Sequence, residues 1–304
     1  MTLSKKIAAR CLVLCSLFFL SGCLKLDQNL FNTSEKITAY KYDDYTGTRD
    51  FALDGSYTIP SSLVHTFTLN SKAPGEVEST LIYATYIGDI NRISTDTVIL
   101  YCHGNKWHMD FYWERAKLLA NTGWKNRFGV LFFDYRGYGL SQGTPSEEGM
   151  YADGSACLEW LQSKGLSNKR LIMYGFSMGT AVATQLTANP RNMVPSKLML
   201  EAPFASAEVM VQDAAILALP GTFVTKLKIN NGEEIKKVQQ PFLWMHGTQD
   251  NFLNIKTHGE VVFRNHNGIS KTARRVEGAD HGNVPNTLGF SVYSGIILNF
   301  ITGK

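Results

Sequence analysis

The sequence predicts an α/β protein with a mostly parallel central sheet and helices on both faces of that sheet. From residue 97 onward, short and almost wholly apolar runs alternate with longer helical patterns. Strands that are buried on both faces of a parallel sheet have this continuous apolar character. The chain has 304 residues, 44% of them hydrophobic, which suits one large domain of this class.

Residues 1–22 are typical of a secretory signal peptide. Lys5, Lys6 and Arg10 form a positive region ahead of an apolar stretch at 11–20. That stretch is shorter than the roughly 20 apolar residues that span a bilayer, so we expect a cleaved leader and not a membrane helix.

Residues 20–23 read Leu-Ser-Gly-Cys and resemble the lipobox of bacterial lipoproteins. Cleavage after Gly22 would leave Cys23 as an acylated N-terminus, and several acyl chains on one residue give stable anchoring. The alternative is an ordinary signal peptide followed by an unrelated cysteine. Leu24 stands where an aspartate would favour the inner membrane. The prediction is therefore a lipid anchor in a bacterial cell envelope, at the outer membrane and facing the periplasm or the cell surface.

The charge balance of the mature chain gives no basis for nucleic-acid binding. The whole chain has 30 Lys and Arg against 26 Asp and Glu, but residues 1–22 contain three of the basic groups and no acid. The remaining 27 basic and 26 acidic residues nearly cancel, so a basic face for nucleic acid is not expected. Cys102 and Cys157 are predicted to be buried thiols, because no cysteine framework or metal-ligand spacing is visible.

The domain itself is predicted to begin after a polar N-terminal segment. Residues 23–60 contain scattered aromatic residues and are interpreted as a lipidated tether and a wrapping arm. The folded domain then covers 61–304. Its first two strand patterns, at 63–69 and 79–88, are rich in β-branched and aromatic residues and flank a turn, which is typical of an antiparallel pair.

The rest of the domain alternates strands and helices. Apolar runs predict six further strands at 97–104, 128–137, 170–175, 197–202, 241–247 and, more weakly, 272–278. Helical patterns follow at 110–123, after Ser146, after the fifth strand and at 287–301. Ser146 is the expected N-cap of its helix, because Glu147 and Glu148 fill the first turn, where the helix dipole favours carboxylates.

An insertion separates the sixth and seventh strands. It covers residues 203–240, about twice the length that one crossover helix needs. Ligands of open α/β sheets bind beyond the carboxyl ends of the strands, so the insertion is predicted to form a small cap over the site. The alternative is a pair of surface helices that do not contact the ligand.

The candidate nucleophile is Ser177, in the sequence GFSMG at 175–179. A G-x-S-x-G motif is informative only between a strand and a helix, and both patterns are present here. Gly175 and Gly179 provide the close backbone approach that such a sharp turn requires.

A serine hydroxyl needs a base, and the base needs an acid that orients it. His281 follows the last predicted strand and Asp250 follows the strand before it, so both occur after Ser177 in the order that this kind of triad requires. Glu201, after the strand that precedes the insertion, is a rival acid. Asp280 is a second rival, but its neighbour His281 is badly placed to be oriented by it. The other histidines are less convincing, because they have backbone-bonding, strand, helix or surface patterns: His65, His103, His108, His246, His258 and His266.

The tetrahedral oxyanion of acyl transfer requires two N–H donors. One is expected from the backbone of Met178, directly after the nucleophile. The other is expected from the backbone of Asn105, in the loop after the first parallel strand.

Five motifs in this order resemble the α/β-hydrolase superfamily over about residues 60–304: HGN at 103–105, DYRGYGLSQGTPSEEG at 134–149, GFSMG at 175–179, HGTQD at 246–250 and GADHG at 278–282. The chain looks similar to the branch that includes serine aminopeptidase-like lipases and palmitoyl-protein thioesterases. The resemblance implies acyl transfer to water without a metal or an organic cofactor. It also implies scaffolding roles for Asp134 and Arg136.

The chain departs from that branch after HGN, where it is bulky and aromatic. Trp107 and Phe111 either line an acyl pocket or pack against the first crossover helix. The leading hypothesis is a membrane-anchored serine hydrolase that cleaves carboxylic ester or thioester bonds of small or acylated substrates. The alternatives are a peptidase or amidase of the serine aminopeptidase type and a non-catalytic surface lipoprotein.

Overall fold

The computed structural model describes residues 31–33, 36–123, 128–215 and 225–304. Eight strands are present in this part of the chain: β1 (Val64–Ser71), β2 (Thr80–Ile87), β3 (Val98–Cys102), β4 (Gly129–Phe133), β5 (Leu171–Phe176), β6 (Lys197–Glu201), β7 (Phe242–Gly247) and β8 (Lys271–Val276). The α-helices are α1 (Trp113–Ala120), α2 (Glu147–Ser163), α3 (Gly179–Ala188), α4 (Ala207–Ala215), α5 (Asn231–Glu234), α6 (Gly259–Asn265), α7 (Val284–Leu288) and α8 (Phe290–Thr302). Each predicted strand is confirmed within a few residues.

The strands form a single sheet in the order β1-β2-β4-β3-β5-β6-β7-β8. The pairs β1–β2 and β2–β4 are antiparallel, and all the other pairs are parallel. The predicted antiparallel pair is thus an extension at one edge of the sheet. The insertion lies between β6 and β7, as predicted.

Both faces of the central sheet are buried. Along β3, Leu100 packs into a core with α2 and α3, while Tyr101 packs into a second core with α1 and α8. This alternation explains the continuous apolar runs, because every residue of β3, β4 and β5 faces one of the two cores. Cys102 and Cys157 are free and buried, as predicted.

One predicted helix is confirmed at its N-terminus and another is divided in two. The helix after Ser146 begins as expected, with the Ser146 hydroxyl accepting a hydrogen bond from the Gly149 N–H. The prediction of one continuous closing helix at 287–301 is wrong, because Gly289 has a φ of 78° and separates α7 from α8. A left-handed glycine ends a helix at low steric cost. No helix in the described part of the chain is both long enough and apolar enough to cross a membrane.

Candidate active site

Ser177 lies in the tight turn between β5 and α3. Its φ of 52° is in the left-handed region, and its N–H donates to the Glu201 carbonyl at the end of the neighbouring strand β6. The turn is tight on both sides. A Cβ at Gly175 would lie 2.7 Å from the Gly179 carbonyl oxygen, and one at Gly179 would collide with the Cys102 carbonyl. Only glycine fits at these two positions, which agrees with their predicted role.

The structure brings the three predicted residues Ser177, His281 and Asp250 together. The His281 Nε2 atom lies 2.8 Å from Ser177 Oγ, and His281 Nδ1 lies 2.8 Å from Asp250 Oδ2. Asp250 comes from the loop after β7 and His281 from the loop after β8. Because parallel strands end at the same edge of the sheet, these loops meet beside the Ser177 turn.

Asp250 is held as a carboxylate by four donors. Its Oδ1 accepts from the N–H groups of Phe252 and Leu253, at 2.9 and 2.7 Å. Its Oδ2 accepts from His281 and from a second imidazole, that of His246. Burial alone would raise the pKa of Asp250, but these hydrogen bonds outweigh burial and hold that pKa well below its usual range.

The rival acids have other partners. Glu201 is fully buried and accepts hydrogen bonds from Arg115, Tyr174 and Tyr293. Asp280 is exposed and accepts from the backbone N–H groups of His281 and Asn251. Neither carboxylate contacts the His281 ring, so the geometry favours Asp250 as the acid.

The two predicted oxyanion donors belong to loops that meet at Ser177. Met178 directly follows Ser177 and precedes α3, whose N-terminus favours negative charge. Asn105 lines the same cavity as Ser177. The Asn105 side chain accepts from the Tyr138 hydroxyl at 2.6 Å and from the Asn32 N–H at 3.0 Å, so it holds the loop in place.

Ser177 and His281 open into a cavity of about 960 Å³ with a mostly apolar lining. The rings of Trp107 and Phe111 lie 4.1 Å apart between centroids on one wall. The structure therefore places both residues in the lining, although Phe111 also packs into the core beside α1. Met210 and Val211 of α4 contribute from the insertion.

Residues of the N-terminal arm also reach this cavity. Asn32 and Asp50 are part of the lining, whereas the sequence predicted only that residues 23–60 wrap the domain. Residues 1–30, including Cys23, and part of the insertion at 216–224 lie outside the described residues. The domain boundaries and the lipid anchor stay predictions.

His108, His258 and His266, for which the sequence indicates helix or surface positions, are all buried. His258 accepts from the Ala205 N–H, and burial lowers the pKa of His258 to about 4. The burial of these histidines depends on packing between segments that are distant in sequence, so local sequence patterns do not predict it.

Arg115 forms a buried ionic cluster behind the site. Its guanidinium contacts Asp50 and Glu201, each at 2.6 Å, and it donates to the Gly282 carbonyl next to His281. It also lies 4.2 Å from the ring centroid of Phe176, the residue before Ser177. Arg115 thus connects the N-terminal arm, the nucleophile turn and the histidine loop. The sequence held no indication of this cluster.

We predict that Arg115→Leu lowers the free energy of unfolding by about 3–5 kcal/mol, because it leaves the buried carboxylates Asp50 and Glu201 without a cationic partner. The matched control is Arg275→Leu, which removes an exposed pair with Glu260 and should cost less than about 1 kcal/mol. Urea unfolding monitored by circular dichroism measures the free energy of unfolding of both variants. Equal losses in the two variants would contradict the role given to the cluster.

Comparisons with known proteins agree with the described fold. Residues 93–240 match the family model described as "Serine aminopeptidase, S33". The lysophosphatidylserine lipase ABHD12 of Macaca fascicularis is 32% identical over 173 residues, which cover 52% of this chain and 42% of the relative. The α/β-hydrolase domain-containing protein aho-3 of Caenorhabditis elegans is 31% identical, over 54% of this chain and 46% of the relative. The matches thus span less than half the length of these relatives.

Solved structures show the same fold at low sequence identity. The esterase Pf2001 of Pyrococcus furiosus superposes with a TM-score of 0.59 at 17% identity, over 85% of this chain and 98% of the esterase. Est1E of Butyrivibrio proteoclasticus, with ferulic acid bound, superposes with a TM-score of 0.60 at 16% identity, over 78% of this chain and 99% of Est1E. The chain has the α/β-hydrolase fold, and its residues 93–240 match the serine aminopeptidase S33 family model.

Proposed function

We propose that this protein is a membrane-anchored serine hydrolase that cleaves carboxylic ester or thioester bonds of acylated substrates. The observation that carries the proposal is the hydrogen-bonded chain Ser177–His281–Asp250, which opens into an apolar cavity. The three residues have the relative geometry that makes a serine nucleophilic at neutral pH.

In the proposed mechanism, Ser177 Oγ attacks the acyl carbonyl carbon while His281 Nε2 accepts the Oγ proton. Asp250 holds the imidazole in the required tautomer and stabilises its protonated form. The N–H groups of Asn105 and Met178 bind the resulting oxyanion. Collapse of the intermediate breaks the bond to the leaving oxygen or sulfur, which takes the proton from His281. Water, deprotonated by His281, then releases the acyl group from Ser177.

The lining of the cavity supports an amphiphilic ester as the substrate. Its aromatic wall suits an acyl chain, and the exposed Lys106 at its edge suits an anionic headgroup. One relative is named as a lysophosphatidylserine lipase, and lysophosphatidylserine is an amphiphilic ester. This similarity supports the same substrate class here. We propose a single-chain acyl ester, with the chain along Trp107 and Phe111.

The proposed lipid anchor would hold the site near a membrane. Asn32, which lines the cavity, is nine positions after Cys23. An extended segment of that length spans at most roughly 30 Å. The expected location is the bacterial cell envelope, at the outer membrane, with lipid substrates within reach of the cavity. Detergent-phase partitioning tests the anchor: Cys23→Ser should move the protein to the aqueous phase.

A panel of p-nitrophenyl esters with acyl chains of graded length tests the proposed activity. We expect the highest kcat/KM at medium or long chains, because apolar contact grows by about 0.8 kcal/mol for each buried methylene. A properly folded protein that hydrolyses none of these esters, nor their thioester analogues, would overturn the proposal.

We predict that Trp107→Ala lowers the ratio of long-chain to short-chain kcat/KM about tenfold, because part of the apolar wall is lost. Ester kinetics at two chain lengths measure this ratio. The control is Val292→Ala, an exposed apolar residue of α8 outside the cavity lining, which should leave the ratio unchanged. A constant ratio in Trp107→Ala would place the acyl chain elsewhere.

The match to the serine aminopeptidase family model favours peptidase activity as a second candidate. The triad serves both reactions, and the difference lies in how the cavity binds the leaving group. Comparing p-nitrophenyl acyl esters with aminoacyl anilides separates the two. A higher kcat/KM on the anilides would make the peptidase the better description.

A further inference from the structure

His246 is a second imidazole in contact with Asp250. It is the penultimate residue of β7, and its side chain is fully buried. Its Nε2 atom lies 3.0 Å from Asp250 Oδ2 and 2.9 Å from the Leu253 carbonyl oxygen. A carboxylate and a carbonyl only accept hydrogen bonds, so His246 Nε2 must carry a proton and donate it.

The imidazole of His246 is held in this orientation by packing. A Cβ at Gly259 would run into its Nδ1 atom, so the backbone of α6 presses against the far side of the ring. That Nδ1 atom has no hydrogen-bond partner in the described part of the chain. The functional contacts of His246 are therefore confined to the Nε2 side, toward Asp250 and the loop that follows it.

His246 and His281 share one carboxylate oxygen. Asp250 Oδ2 accepts from His246 Nε2 and from His281 Nδ1, while Oδ1 is occupied by the backbone. Each donor to Asp250 other than His281 reduces the negative charge that Asp250 presents to His281. The donor on Oδ2, His246, also fixes the direction in which Oδ2 points. A donor in this position affects both the orientation and the basicity of the catalytic imidazole.

We propose that His246 is a positioning residue of the hydrolase reaction, which holds Asp250 in place and limits how strongly Asp250 stabilises protonated His281. This inference rests on the proposed function. It assigns His246 a role through Asp250 only, because Ser177 and the cavity are not among its contacts.

The charged and titratable groups around His246 lie on three elements. Asp250 and His281 lie in the loops after β7 and β8, and His258 and Glu260 lie at the start of α6. Arg275 of β8 is the register partner of His246 and pairs with Glu260. His258 is neutral near pH 7, because burial lowers its pKa to about 4.

The test compares His246→Leu with His246→Gln. The two side chains are similar in size, but only glutamine keeps an N–H that can reach Asp250. We expect His246→Leu to lower kcat about tenfold with little change in KM. The acid limb of its pH–rate profile should move to higher pH, by about half a unit. Without the donor, Asp250 stabilises protonated His281 more strongly, so a higher pH is needed to obtain the neutral base.

His246→Gln should recover most of the activity and the original pH profile. Equal losses in both variants, with the acid limb unmoved, would show that His246 only fills space and would overturn the proposal. Thermal unfolding of each variant identifies a general loss of structure.

A spectroscopic measurement keeps this inference separate from the proposed activity. In protein with ¹⁵N-labelled histidine, the His246 Nε2–H and His281 Nδ1–H protons should both appear at low field. Asp250→Ala should shift both signals. A His246 Nε2–H signal that does not respond to Asp250→Ala would overturn the positioning role, whether or not the protein hydrolyses esters.

Discussion

Ser177→Ala should lower kcat by at least about 10³-fold. The residual activity would come from substrate binding and oxyanion stabilisation alone. The change removes the only atom that forms the acyl bond in the proposed mechanism. It should leave the fold intact, because the Ser177 Oγ contacts His281, whereas the turn is held by the Ser177 N–H. Steady-state hydrolysis of a medium-chain p-nitrophenyl ester measures the loss.

Ser155→Ala is the matched control for this substitution. Ser155 is also a buried serine, but it lies in α2 and contacts Asn192, away from the cavity. Its loss should change kcat less than about twofold. More than a tenth of wild-type activity in Ser177→Ala would contradict the assignment of the nucleophile.

Asp250→Asn should lower kcat by about 10³–10⁴-fold, because an amide in this position favours the wrong tautomer of His281. Asp280, a second carboxylate that lines the cavity, provides the control. Asp280→Asn keeps an oxygen that can accept from the backbone, and we expect it to change kcat only a few-fold. Both variants are measured with the same ester at pH 8.

Glu201→Gln decides between the two acids that the sequence left in competition. Glu201 accepts hydrogen bonds from Arg115 and two tyrosines. Its replacement should therefore lower the free energy of unfolding and have a smaller effect on kcat. A loss of kcat in Glu201→Gln that exceeds the loss in Asp250→Asn would move the role of the acid to Glu201.

Local patterns were sufficient for the strands and for the order of the triad residues. Strands such as β3 are buried on both faces, so their composition alone distinguishes them from loops. Ser177, Asp250 and His281 each follow a strand that the sequence predicts. Because the carboxyl ends of parallel strands share one edge of the sheet, their order along the chain predicts that they meet.

Contacts between distant segments could not be predicted in the same way. Asp50 and Arg115 lie 65 residues apart, and nothing in either neighbourhood marks them as partners. The same holds for Asn32 and Asn105, 73 residues apart. Polar contacts of this kind depend on where the arm crosses the sheet edge, which is set by packing and not by periodicity. The break at Gly289 was missed because a glycine within an apolar helical pattern is often tolerated.

His246 shows a different limit of the sequence. A histidine before a glycine was interpreted as a ring that bonds to the backbone, and one of its two contacts is indeed the Leu253 carbonyl. The second contact, to Asp250, follows from the turn after β7, which brings a residue four positions later back to the imidazole. That turn geometry was visible only in the structure.

The most direct test of the central claim is covalent labelling with a fluorophosphonate, followed by peptide mass spectrometry. Such a probe reacts with a serine that a neighbouring base activates. We expect one phosphonylated residue, Ser177, and loss of labelling in both Ser177→Ala and His281→Ala. Folded wild-type protein that remains unlabelled, or that carries the label on another serine, would contradict the assignment of Ser177 as the nucleophile.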